Sequence, residues 1–260
     1  MSNTALITGA SSGIGAELAR YHASKGGDLI LTARRADRLA DLKAELERDH
    51  GITAHAIARD IGAVDGAATL AAQIEGAGLR VDILINNAGF GGLGNHIERP
   101  LADEMAMIDL NVKTLTELTH VFGAKMAAQG GGKILNVGSV AAFMPGPKQA
   151  VYFATKAYVQ SFSQAIDHEL RPQGVTCTVL CPGYVETEFG DRADFGNAPM
   201  AKNSKLTAAQ VAKIGYDAMQ RGKLVAITEF QMSAALNWIL PFVPQRIVMS
   251  LVEKVQTKTG

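Results

Sequence analysis

The chain has 260 residues, a formal net charge of zero from 25 Lys and Arg against 25 Asp and Glu, and 47% hydrophobic residues. A chain this long can bury a large core in one α/β domain, and the composition argues against disorder. Balanced charge gives no electrostatic reason to expect a nucleic-acid partner.

Short β-rich runs alternate with longer helical stretches. In chain order the runs are ALIT at 5–8, LILTA at 29–33, ITAHAIA at 52–58, VDILIN at 81–86, KILNVGS at 133–139, VTCTVL at 175–180 and LVAIT at 224–228. Several are apolar on both faces, as expected where helices cover both sides of a parallel sheet. The alternation predicts an α/β fold: a doubly wound parallel sheet of about seven strands with right-handed crossovers.

Helix punctuation agrees. Residues 36–50 put Leu39, Leu42 and Leu46 on one face and stop at Gly51. The stretch 152–171 stops before Pro172, and Thr207 with Gln210 forms a capping-box pattern opening a helix toward Gly222. No Pro/Ser-rich linker divides the chain, so residues 1–260 read as one dinucleotide-binding catalytic domain.

Two segments break the alternation. Residues 186–206 are polar, contain glycine and are long for a connection, which predicts a substrate loop. Its Phe189, Phe195 and Met200, with Trp238, suggest an apolar lid. Residues 230–260 form a C-terminal extension that is apolar over 230–252. Its charge-free part, 230–245, is 16 residues broken by prolines, short of the ~20 needed to span a bilayer. The extension covers the pocket, packs on another subunit, or rests in a membrane interface.

The opening MSNTALITGASSG has no basic region followed by an apolar signal core, pointing to a cytoplasmic protein. Cys177 and Cys181 share one expected strand; at ~3.3 Å per residue their Cα atoms lie ~13 Å apart, beyond the ~7 Å reach of a disulfide. They read as buried reduced thiols.

The first strand runs into Thr8-Gly9-Ala10-Ser11-Ser12-Gly13-Ile14-Gly15, where a helix begins. Glycines at 9, 13 and 15 let backbone approach a pyrophosphate, and the helix start offers free N–H groups and a positive dipole end. The loop's place after strand one points to dinucleotide binding, with Ser11, Ser12 and Ile14 beside the glycines. The second strand ends Leu31-Thr32-Ala33-Arg34-Arg35, with no Asp or Glu over 29–36. A carboxylate there would serve an unphosphorylated ribose; two guanidinium groups suit a 2′-phosphate. The expected cofactor is NADP(H) in preference to NAD(H), with Arg34 the better candidate and Arg35 beside it.

Tyr152 and Lys156 lie four apart on an expected helix and share a face. A free tyrosine, with pKa ~10, is a poor base at neutral pH, and a neighbouring ammonium should lower that value.

With these residues in place, the sequence resembles the short-chain dehydrogenase/reductase family in its branch of roughly 250 residues, over about residues 4–190. The likeness rests on motifs in order: Thr8-Gly9-x-x-x-Gly13-x-Gly15, Asp60-Ile61, Asn86-Asn87-Ala88-Gly89, Asn111 in Asp-Leu-Asn-Val, Ser139, Tyr152-x-x-x-Lys156 and Pro182-Gly183. It implies a Rossmann-type fold and hydride transfer between NADP(H) and a carbonyl or secondary alcohol. By that likeness Tyr152 is the acid for reduction and the base for oxidation, and Ser139 hydrogen-bonds the substrate oxygen. Lys156 holds the nicotinamide ribose and tunes Tyr152, while Asn111 keeps a helix distortion and a bound water. Asp60 and Ile61 flank the adenine; Asn87, Ala88 and Gly89 pass beside the adenosine ribose. Pro182 and Gly183 lead to Val185 and Thr187, which contact the carboxamide or phosphates. The likeness also implies a homodimer or homotetramer.

The six histidines make no metal spacing, so no metal is expected, and no Gly-x-Ser-x-Gly supports a serine hydrolase. The apolar lid suggests a hydrophobic small-molecule ketone, aldehyde or alcohol. The competing reading is a non-catalytic NADP(H)-binding sensor or scaffold. The full Asn111, Ser139, Tyr152, Lys156 set favours an enzyme.

Overall fold

The computed structural model describes residues 3–193, 206–229 and 233–257. Phe195 and Met200 of the expected lid, and Phe230 at the head of the C-terminal extension, lie outside the described residues.

Seven parallel strands form one sheet in the order β3-β2-β1-β4-β5-β6-β7. They are β1 (Thr4–Thr8), β2 (Asp28–Ala33), β3 (Ala54–Ala58), β4 (Ile83–Asn86), β5 (Gly132–Val137), β6 (Val175–Cys181) and β7 (Val225–Ile227). Alternate residues of each strand feed two cores, because successive side chains leave a strand on opposite faces. Ala5, Ile7, Leu29 and Leu31 face a core shared with Leu18 of α1 (Gly13–Ala23) and with Leu39 and Leu46 of α2 (Ala36–His50). Leu6, Ile30 and Leu84 face the other core, built with Leu70 of α3 (Gly66–Gly76) and Leu118 and Phe122 of α5 (Leu115–Ala128). Burial on both faces is why these runs read as continuous apolar stretches.

Between β4 and α5 lies α4 (Leu101–Ile108), joined to α5 by a π turn over Asp109–Thr114. Next comes α6 (Ala150–Leu170), two residues earlier than the sequence suggests. Two short helices follow along the chain, α7 (Glu188–Arg192) and α8 (Ala208–Gln220), the latter with its Thr207–Gln210 capping box in place. The α2 helix ends as expected, at Gly51 with φ 66°.

Several boundaries differ. The fifth strand stops at Val137, because the Gly138 N–H turns to the Leu180 carbonyl at 2.7 Å and Ser139 caps a short 3-10 turn at 140–143. The C-terminal extension is not a uniform apolar tail. A π turn at 235–239 and a 3-10 turn at 240–242 lead into α9 (Gln245–Gln256). Both cysteines are free and buried. Among the described residues no helix is long and apolar enough to cross a membrane.

Candidate active site

A cavity of about 640 Å³ opens at the carboxyl ends of the strands, beside β1 and β4 where the strand order reverses direction. That crevice is where open parallel sheets bind ligands, since loops and helix N-termini converge there.

At one end β1 delivers the glycine-rich turn. Gly9 takes φ 66°, and a side chain on Gly15 would come within 2.3 Å of the Gly9 carbonyl oxygen. Thus Gly15 serves close packing of α1 against the turn and does not line the cavity, whereas Gly9, Ser11, Ser12, Gly13 and Ile14 do. The β4 loop is stitched to the same turn. Asn87 Nδ2 donates to the Thr8 and Gly9 carbonyls, and the Asn87 and Ala88 N–H groups donate to Thr8 Oγ1 at 3.0 Å.

Arg34 and Arg35 both line this end, joined by Arg59, a third cation that the sequence reading passed over. Its adjacency to Asp60 was the available signal. Arg34 is exposed and has no hydrogen-bond or ion-pair partner among the described residues. Arg35 instead folds over the turn: its Nη2 donates to Ser11 Oγ at 3.1 Å and pairs with Glu188 Oε2 at 2.7 Å. Ser12 occupies the N-cap of α1 but makes no capping bond, its hydroxyl bonding to Glu188. Asp60 and Ile61 line the wall below, where Asp60 Oδ1 accepts from the Gly62 N–H.

At the other end stand Ser139, Tyr152 and Lys156, all buried and all lining the cavity. A hydrogen bond links the Ser139 and Tyr152 hydroxyls. One helical turn on, Lys156 sends its Nζ to the Val137 carbonyl at 2.8 Å and lies 5.7 Å from the Tyr152 ring centre. The sequence predicts a phenol acidified by this amine, and the structure corrects that. Burial pushes the Tyr152 phenol up to about 12, opposed by the Ser139 bond. Burial likewise pushes the Lys156 ammonium down to about 8. Desolvation wins because the amine is turned to a carbonyl.

Asn111 sits in the π turn and does not line the cavity. Its Oδ1 accepts from the Phe90 N–H at 3.1 Å, and its Nδ2 donates to the Phe90 carbonyl at 2.9 Å and to Thr155 Oγ1 at 3.2 Å. It therefore fastens the β4 loop to α6 at the residue before Lys156. Gly89 lies between them, and a side chain there would meet Asn111 Oδ1 at 3.0 Å.

Phe90, Met144, Phe153 and Phe189 give the chamber beside Tyr152 an apolar lining. The Phe189 ring lies 5.6 Å from that of Tyr152. Val252 of α9 packs against the same cluster. Val252 is the extension's contact with that cluster among the described residues, and it does not line the cavity; Trp238 is 78% exposed and also absent from the lining. Pro182, Gly183, Val185 and Thr187 complete the wall between the two ends. Among the described residues no cluster of His, Cys, Asp or Glu could hold a metal ion.

A glycine-turned helix start opposite a buried tyrosine and lysine, on a seven-stranded parallel sheet, defines a nucleotide-binding oxidoreductase. The chain belongs to the short chain dehydrogenase family, whose model matches residues 3–195. It is 37% identical over 222 residues to sulfoacetaldehyde reductase 2 of Chromohalobacter salexigens, spanning 82% of this chain and 87% of that one. Among solved structures, a Sphingobium yanoikuyae short-chain dehydrogenase in complex with NADPH superposes with TM-score 0.82 at 31% identity, covering 94% of this chain and 97% of that one. A bulky-bulky ketone specific alcohol dehydrogenase from Comamonas testosteroni reaches TM-score 0.77 at 27% identity, covering 94% and 95%.

Proposed function

We propose that this chain reduces an apolar ketone or aldehyde to the alcohol with NADPH, Tyr152 donating the proton. The observation that carries the reading is the buried Tyr152, Ser139 and Lys156 set in one cavity that is lined at its far end by Arg34, Arg35 and Arg59.

The cavity fits a phosphorylated dinucleotide on its own chemistry. The turn leaves the N–H groups of the α1 start unused by the Ser12 side chain, free to face a diphosphate. Gly9, Ser11, Ser12, Gly13 and Ile14 would hold the diphosphate, and Asp60, Ile61, Asn87, Ala88 and Gly89 the adenosine. Arg34, exposed and unpaired, would take the 2′-phosphate with Arg35 beside it. Pro182, Gly183, Val185 and Thr187 would border the carboxamide. The bound cofactor supplies the hydride.

The protein's part is position and protons. Ser139 and Tyr152 present two hydroxyls to a carbonyl oxygen, which stabilises charge developing there. Tyr152 would give its proton to the substrate oxygen in reduction and take one back in oxidation. Lys156 would hold the ribose, and Asn111 acts through the Phe90 loop. The apolar chamber walls would select a hydrophobic carbonyl, in keeping with the likeness to a bulky-bulky ketone specific alcohol dehydrogenase. The same reading makes the protein a cytoplasmic homodimer or homotetramer.

NADPH and NADH consumption over a panel of carbonyl compounds tests it. Tyr152→Phe is expected to abolish turnover while NADPH binds within about twofold of wild type. Substantial turnover in that variant, or equal kcat/KM with both nucleotides, overturns the assignment.

A further inference from the structure

The Glu188 carboxylate crosses the cavity mouth. It leaves the segment after β6 and reaches the far wall, pairing with Arg35 Nη2 at 2.7 Å while the Ser12 hydroxyl donates to it. The same Arg35 Nη2 also holds Ser11 Oγ. Both ends of the ion pair are about half exposed, 41% for Arg35 and 50% for Glu188, so the contact can open without disturbing the core. These partners hold the Glu188 carboxyl below the usual carboxylate range. The site is an anion receptor occupied by the chain's own anion.

We infer that Glu188 is a specificity-determining residue for the cofactor, competing with the adenosine 2′-phosphate for Arg35 and so restraining the preference for NADPH over NADH. The inference rests on the proposed dinucleotide site. A 2′-phosphate brings up to two negative charges to a guanidinium already paired with a carboxylate. Accommodation requires Glu188 to withdraw or to bear like-charge repulsion. A ribose that keeps its 2′-hydroxyl meets no such conflict, because a hydroxyl can donate to the carboxylate and leave the Arg35 pair standing. Arg34 and Arg59 draw both phosphorylated and unphosphorylated nucleotides into the cavity, whereas Glu188 acts on the difference between them.

Isothermal titration of the full chain with NADPH, NADH, 2′,5′-ADP and 5′-AMP tests this, comparing wild type with Glu188→Gln and Arg35→Gln. A half-exposed ion pair is worth little, so the expected change is modest: Glu188→Gln binds NADPH and 2′,5′-ADP about threefold to fivefold more tightly. NADH and 5′-AMP should stay within about twofold of wild type. In the double variant Glu188→Gln/Arg35→Gln, compared with Arg35→Gln, the gain from removing Glu188 should vanish. A purely structural role for Glu188 would weaken all four ligands together. An unchanged NADPH-to-NADH ratio of dissociation constants in Glu188→Gln overturns the inference. If wild type still prefers NADPH in that case, the cofactor reading stands; if wild type binds neither nucleotide, both fall.

Discussion

Replacing Lys156 by Met, and following stability against pH without cofactor, isolates the electrostatic cost of the candidate site. Burial lowers the Lys156 ammonium from its ordinary 10.5 to about 8, and the residue is only 6% exposed. That interval of about 2.5 pH units, at about 1.4 kcal/mol per unit, corresponds to about 3.5 kcal/mol. Between the two values the unfolded chain carries a proton on this amine that the folded chain has released, so stability rises with pH there. Below pH 8 both states are charged, and the folded state bears the full cost of a buried ammonium. The stability of wild type minus that of Lys156→Met should therefore grow by about 2 kcal/mol from pH 7 to pH 9.5. In a domain of this size that is a relative Tm shift of about 4–8 °C. The lost bond to the Val137 carbonyl adds an offset that does not vary with pH. Urea unfolding of both proteins at matched pH reads the difference directly. A flat or falling difference curve refutes the burial argument for this amine, and with it the reason given for Tyr152 keeping its proton.

Other substitutions probe other parts of the frame. His22 is fully buried, with Nε2 near the Asn3 and Asp28 carbonyls and Nδ1 2.8 Å from the Tyr216 hydroxyl, and burial lowers its pKa below 6.5. Its contribution is present above pH 6.5 and lost as pH falls through the lowered value, so wild type should lose stability relative to His22→Phe on going from pH 7 to pH 5 in thermal melts. Asn111→Ala removes the side-chain bonds to the Phe90 N–H and carbonyl and to Thr155 and should cost at least about 2 kcal/mol in urea unfolding; a loss below about 0.5 kcal/mol would show that Asn111 does not pin the loop. Gly15→Ala drives a methyl to within 2.3 Å of the Gly9 carbonyl, and the expected loss is at least about 2 kcal/mol together with weakened NADPH binding. Thr207→Ala removes the cap of α8 and should cost about 1 kcal/mol with cofactor affinity unchanged.

The sheet was legible in the sequence because the five inner strands are buried on both faces and so interrupt the helical periodicity with apolar runs, whereas the edge strands β3 and β7 are not. The errors fell at strand ends, where apolar residues continue past the hydrogen-bonded ladder: Ile52 precedes β3, and Gly138 and Ser139 leave β5. The glycine turn, the Arg34-Arg35 pair, Ser139 and Tyr152-x-x-x-Lys156 could be placed from order and spacing, and the structure brings them around one cavity. Spacing could not say how deeply the Tyr152 phenol is buried or that the Lys156 amine turns to the Val137 carbonyl, and burial reversed the expected shift of Tyr152. Nor could it reveal the Arg35–Glu188 contact, whose partners stand 153 residues apart. The C-terminal extension misled because its prolines hid α9. In that helix Val248 is buried and Val252 packs toward Phe90, while Ile247, Leu251 and Val255 face outward.

Glu188 and Phe189 are neighbours in the chain, yet one side chain reaches the cationic wall and the other rests on the tyrosine ring. Under the proposed roles, nucleotide preference and substrate shape would not be separate dials in this protein. A variant selected for one would then carry an altered setting of the other, so retargeting calls for screening both traits together.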